Sequence, residues 1–245
     1  MVSHLPSENQ IRLSKICAEH DVNQLLELIK NNKNLKDVSI HGSFYTACAN
    51  ESIRKNEFID IFLHNEKLKK HINFSNICAN MISVNNFEIF KKLSSYIPIN
   101  DYLSKYLNQI IENANIEFLK QLLSQYQIDA LILHKSFVKA CECGQLEMIK
   151  YLFANYNLNI HFDNDLAIRR AGSNNHINIV KYLLEDPSLK EKANPLAMND
   201  DLSISAIMQN NEALIHYLYN QYGLKESQTV MDYKKYKQDL AIQHS

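Results

Sequence analysis

The chain has 245 residues, an apolar share of 46% and a charged share of 22%, so it holds enough apolar material for a continuous core and is too hydrophobic for disorder. With 26 Lys and Arg against 27 Asp and Glu there is no global field to draw it to nucleic acid or to an anionic membrane surface. Five cysteines, an odd number with no paired Cys-x-x-Cys spacing, argue against a disulfide framework or a structural zinc site and for a reducing compartment.

The segment from Met1 to Ile16 is too polar for a secretory core, and no apolar run approaches the roughly 20 residues that a membrane span needs. A receptor-read delivery signal would escape that test. Helix pairs joined by short polar turns then follow along the chain, with turn positions at His20, Lys55, Asn85, Ala114, Gly144, Asn175 and Asn210, a period of about 30 residues. Second helices begin at Val22, Phe58, Phe87, Ile116, Leu146, Ile177 and Ala213, each with apolar residues three and four apart that form one buried stripe.

In the first helices an echo recurs, Ile16-Cys17-Ala18, Ala47-Cys48-Ala49, Ile77-Cys78-Ala79 and Ala140-Cys141, and it reads as small side chains at a packed seam. The offset from Cys to the closing Leu is four residues longer for Cys48 to Leu63 and Cys78 to Leu93 than for Cys17 to Leu28 and Cys141 to Leu152. Four residues make about one helical turn, which predicts a longer first helix in the second and third pairs. Asn at the turns replaces scarce Gly, because Asn tolerates left-handed angles. Leu158 to Phe162 alternates like a strand but is bounded at once by polar turns and reads as an extended inter-repeat loop. The tail from Ser227 to Gln243, with Lys234, Lys235 and Lys237 on a basic outer face, reads as a polar capping helix.

The clearest pair of segments is Cys143-Gly144-Gln145-Leu146-Glu147-Met148-Ile149-Lys150-Tyr151-Leu152 and Asn174-Asn175-His176-Ile177-Asn178-Ile179-Val180-Lys181-Tyr182-Leu183. A unit of this kind cannot bury its own apolar face, so it stacks on neighbours and offers a long surface in place of a closed pocket. Residues Ala140 to Leu152 and Asp165 to Leu184 resemble the core of an ankyrin repeat, most clearly over residues 134–220. No pair keeps that family's Thr-Pro-Leu-His opening, and its hairpin Asp and closing Gly are mostly absent, so loops are expected where the family has β-hairpin fingers. Divergent Asn-, Lys- and Ile-rich arrays of this sort resemble ankyrin-like proteins of giant viruses and of bacteria living inside eukaryotic cells.

The sequence is therefore read as one all-α, elongated, ankyrin-like solenoid over 1–245, with divergent repeats in 1–133, clearer ones in 134–220 and a cap in 221–245. The resemblance implies a non-catalytic module that binds a protein partner on its concave face, in a cytoplasmic setting that includes delivery into a host cell. It implies no cofactor, metal, nucleic acid or small-molecule substrate. Transferred onto this chain, the partner-facing positions are Gln109 and Glu112, then Lys139, Glu142 and Cys143, then Arg169, Arg170, Ser173 and Asn174, and last Ser205, Met208 and Gln209. Of these, Gln109 and Glu112 join by a weaker alignment, as do Asn80, Ser83 and Asn113. Arg169 and Arg170 stand out because Arg combines planar donors with a packing stem and is enriched at binding hot spots.

Two alternatives carry particular residues. Leu5-Pro6-Ser7-Glu8 with Ile11, Leu13 and Ile16 distantly resembles the start of an F-box helix, which implies an adaptor for ubiquitin transfer. Cys143, with His134, His161 and His176 nearest in sequence, is the one thiol placed for a Cys-dependent hydrolase.

Overall fold

A helix that must end, turn and restart within four residues needs a left-handed residue at the corner, and this chain solves that problem the same way six times. The computed structural model describes residues 8–31, 39–221, 230–232 and 235. They fall into two compact units, 1–102 and 103–245. Helices are the only regular structure among the described residues.

The first unit holds α1 (Glu8–Glu19) with α2 (Val22–Asn31), α3 (Ile40–Ala49) with α4 (Lys55–His64), a short extra helix α5 (Glu66–Lys69), and α6 (Phe74–Ser83) with α7 (Phe87–Ser94). Within it α3 packs on α1 and on α6. Its core is aromatic: Phe44, Phe58 and Phe62 are fully buried, with ring centroids 5.2 Å apart for Phe44 and Phe62 and 5.6 Å for Phe58 and Phe62.

The second unit holds α8 (Leu103–Glu112) with α9 (Ile116–Gln125), α10 (Ala130–Glu142) with α11 (Leu146–Asn155), α12 (Phe162–Ser173) with α13 (Ile177–Glu185), and α14 (Ala197–Met208) with α15 (Glu212–His216). Here α10 packs on α8 and α12, and α12 packs on α14. Each first helix buries its small or branched residues, as with Ile110, Cys141, Ala171 and Ala206, against the stripe of the following helix, as with Leu119, Ile149, Val180 and Leu214. The architecture is an all-α, ankyrin-like stack of helix pairs in which loops join successive pairs.

Six of the seven expected turn positions, His20, Asn85, Ala114, Gly144, Asn175 and Asn210, have φ between 50° and 78°. In each, the next residue's N–H returns to the carbonyl five positions back, at 2.8–3.1 Å, as in Asn115 to Ile110 and Gln145 to Ala140. This is the Schellman closure of a helix end. The same residue then caps the second helix: the Asp21, Asn86, Asn115 and Asn211 side chains accept the N–H of Gln24, Ile89, Phe118 and Leu214 at 3.0–3.1 Å. One residue thus closes one helix and opens the next.

The second pair is the exception, and it corrects two expectations. Lys55 is not a turn residue; it opens α4 and is buried, its Nζ 2.7 Å from Glu51 Oε1. The segment Asn50-Glu51-Ser52-Ile53-Arg54 forms a longer link with no left-handed corner. The extra residues between Cys48 and Leu63 sit in that link, and α3, at 10 residues, is not lengthened. In the third pair α6 also has 10 residues; Asn73 caps it by accepting the Asn76 N–H, so Cys78 lies mid-helix where its counterpart Cys141 lies near an end. The first helices of these two pairs are shorter, at 10 residues, than α1 at 12 and α10 at 13, and in the third pair the cysteine shifts by about one turn.

Cys17, Cys48, Cys78 and Cys141 are all buried, in keeping with a packing role, and burial pushes the Cys17 thiol up to about 12. Histidines tie neighbouring pairs together. His20 Nε2 donates to Ala47 O at 2.8 Å and His176 Nε2 to Glu142 O at 2.9 Å, while His134 Nε2 accepts the Asn159 N–H at 2.9 Å. Of the expected C-terminal cap, Val230 is buried and the remainder lies mostly outside the described residues.

Candidate interaction face

Counted back from the left-handed corner, the exposed edge of the second unit repeats in register. Five residues before it stand Gln109, Lys139, Arg170 and Ser205; two before it stand Glu112, Glu142, Ser173 and Met208; one before it stand Asn113, Cys143, Asn174 and Gln209. Positions three apart share one face of a helix, so α8, α10, α12 and α14 each contribute the same rung.

Cross-repeat contacts hold these rungs. Lys139 Nζ lies 2.9 Å from Glu112 Oε1 on the preceding repeat and 3.1 Å from Glu142 Oε1 on its own. The Glu112 carboxylate, and then that of Glu142, hold the Lys139 ammonium above the ordinary lysine range. Gln209 Nε2 donates to Ser173 O, joining α14 to α12. Ser173 Oγ and Asn174 Nδ2 both donate back to Arg170 O, at 3.2 and 2.9 Å.

Among the described residues Arg170 is exposed and its guanidinium has no ion pair. Met208 is 56% exposed. Gln109 and Ser205 are half-buried, Glu112 and Asn113 exposed. In the first unit Asn80 is half-buried and Ser83 exposed.

Arg169 is placed differently from its neighbour. Its Nε donates to Asn164 O at 3.0 Å, Nη2 to Asp163 O at 3.1 Å, and Nη1 pairs with Asp201 Oδ2 at 3.1 Å. Its acceptors explain the arrangement: α12 opens with Asp163, Asn164 and Asp165 at φ 51°, 54° and 57°, a left-handed turn that aims the carbonyls of Asp163 and Asn164 at the guanidinium. Asp165, buried, accepts from His161 Nδ1 at 2.9 Å and from the Asn194 N–H at 2.8 Å. A second such turn, Met198 to Asp200 at φ 54–65°, opens α14. The register carried the signal for Arg169, because its counterpart one repeat earlier is the buried Val138. Sequence reasoning missed Leu196 and Met198, 50% and 56% exposed beside that second turn; apolar residues on an Asn-Asp turn were their only mark.

Cys143 is half-buried, and burial raises its thiol pKa against the opposing pull of Lys139. The histidines nearest in sequence are engaged elsewhere: His134 Nδ1 donates to Ala130 O at 2.6 Å, His161 bonds Asp165 and His176 bonds Glu142 O. Of the F-box-like segment, Leu5 to Ser7 lie outside the described residues, Leu13 and Ile16 are buried, and Ile11 is 58% exposed. A groove of about 890 Å³ lined by His134, Phe153 to Ile160 and Ser188 to Glu191 contains none of the expected partner-facing residues. Among the described residues no helix is long and apolar enough to cross a membrane, and no three His, Cys, Asp or Glu side chains are grouped to hold a metal.

Residues 107–195 match the family model for ankyrin repeats (3 copies). These residues are ankyrin repeats. The match starts within α8 and stops just before α14, so it includes the fourth helix pair, where the resemblance was faint, and omits the seventh. The chain is also 29% identical over 174 residues to an ankyrin repeat protein of Acanthamoeba polyphaga mimivirus, an alignment that covers 70% of this chain and 33% of that protein. The chain thus spans about a third of that relative's length. No solved structure matches significantly. Ankyrin repeats generally mediate protein–protein interaction and are typically non-catalytic.

Proposed function

We propose that this chain is a non-catalytic binding module that recognises a protein partner along the first-helix rungs of its ankyrin repeats, and that it serves as a host-directed effector or regulator. The carrying observation is the rung register itself: side chains from α8, α10, α12 and α14 occur at equivalent positions, fixed by the Glu112–Lys139–Glu142 and Ser173–Gln209 ties. A face fixed before binding loses little side-chain freedom on association. Arg170 and Met208 are its accessible anchors, a guanidinium and a flexible apolar chain. The host-directed role draws on the viral ankyrin relative, and the reducing cytoplasm on four buried free thiols.

Affinity capture from eukaryotic cytosol with the intact chain tests this. Recovery of a specific protein that is lost with Arg170→Glu plus Met208→Asp is the expected result. Undiminished recovery by that double variant places the binding surface elsewhere, and recovery of nothing specific removes the support for a binding role.

A further inference from the structure

The charge on the rungs is not evenly spread. Two carboxylates, Glu112 and Glu142, share the single ammonium of Lys139, leaving one net negative charge where the fourth and fifth repeats meet. One repeat further on, Arg170 supplies a positive charge with no ion pair among the described residues, because its neighbour Arg169 is the one engaged by Asp201. One repeat beyond that, Met208 presents an exposed apolar chain. The order along the stack is negative, positive, apolar.

Packed helices lie about 10 Å apart, and an extended chain rises about 3.3 Å per residue, so such a chain laid across the rungs passes one repeat in about three residues. Three of the four rungs also expose an amide, at Asn113, Asn174 and Gln209, while α10 carries Cys143 at that position. Amides can satisfy the backbone groups that an extended segment carries unpaired and a helical one does not. We infer that the occupant of this face is an extended peptide segment with a basic residue, an acidic residue three positions on and an apolar residue three further on, in either chain direction. The basic side chain meets Glu112 and Glu142, the acidic one meets Arg170, and the apolar one lies on Met208. This inference rests on the proposed binding role and assigns it a partner chemistry.

The test uses the full chain and four fluorescent peptides: Lys, Glu and Leu separated by pairs of Ser, the same order reversed, and the Lys–Glu exchanged form of each. Anisotropy titrations at low salt should show one of the first two binding about tenfold tighter than its exchanged form, since two matched charges are replaced by two like-charge encounters. Arg170→Glu should abolish that preference, since either order then makes one attractive and one like-charge encounter. Because Arg170 is exposed and has no ion pair among the described residues, this variant should keep the parent's circular dichroism and melting temperature; as a second probe, Glu112→Gln plus Glu142→Gln should abolish the preference for the terminal Lys. Equal binding of all four peptides, or none, overturns the inference. The binding role itself stands or falls separately on the affinity capture, since a captured partner lost with the double variant but lacking this pattern in its bound segment would sustain the role and refute the chemistry.

Discussion

Ala114 holds φ at 54° with a Cβ attached, where its five counterparts are Gly, Asn or His. The left-handed region costs an ordinary L-residue about 1–2 kcal/mol, and glycine little. Ala114→Gly should therefore raise stability by about 1 kcal/mol, read as a higher urea midpoint with unchanged slope. Gly144 is the reverse case. A Cβ there would lie 2.7 Å from His176 Cε1, and that ring is anchored through its bond to Glu142 O. Gly144→Ala should lower stability by about 2–3 kcal/mol, combining backbone strain with overpacking. These corners were legible because the left-handed angle selects few residue types. Lys55 misled for the same reason: its pair has no such corner, so the pattern had nothing to mark.

At the level of the helix, α12 and α14 approach so closely that a Cβ on Gly172 would lie 2.1 Å from Leu202 Cδ1. Gly172→Ala gains helix propensity but wedges the pair apart, with an expected net loss of about 1–2 kcal/mol in thermal or urea unfolding. Arg169→Ala frees the carbonyls of Asp163 and Asn164 and the carboxylate of Asp201. It should cost about 1–3 kcal/mol and speed amide exchange at the start of α12 and α14, with the peptide preference unchanged. Helix periodicity revealed which residues are core, and the register with the buried Val138 marks position 169 as inward, yet neither shows which groups Arg169 meets there. That orientation is dictated by the left-handed turn, and nothing in the spacing of apolar residues announces three consecutive residues of that conformation.

Lys139 belongs to this scale as well. Its partners Glu112 and Glu142 raise its pKa above the ordinary 10.5, so their contribution is present in full below that value and is lost as pH rises through the raised one. An NMR titration of the lysine ε-carbons should find Lys139 losing its proton last, and Glu112→Gln plus Glu142→Gln should bring it back toward 10.5.

For the molecule as a whole, repeats communicate only with their neighbours, so damage should remain local. Hydrogen exchange on the Gly172→Ala variant should rise in α12 to α15 while the α1 to α3 amides keep the parent's protection factors. The fold class was legible because a period of about 30 residues survives in the second helices and corners. The charge order along the rungs was hidden, since it depends on which carboxylates share a lysine and which arginine is already occupied, and both are questions of distance between residues some 30 positions apart.

At four of the six corners the residue that closes one helix also caps its successor with its own side chain, so the hairpin within a repeat has no slack. Inserting or deleting a single residue there would rotate the following helix by about 100° and carry its apolar stripe out of the core. At those corners variation in length is thereby channelled into the joints between repeats, where α5 already occupies one such joint, whereas the second pair, which lacks a left-handed corner, holds its extra residues between its own two helices. If the rungs bind as proposed, new specificities can then arise by lengthening those joints while the ladder of rung residues keeps its beat.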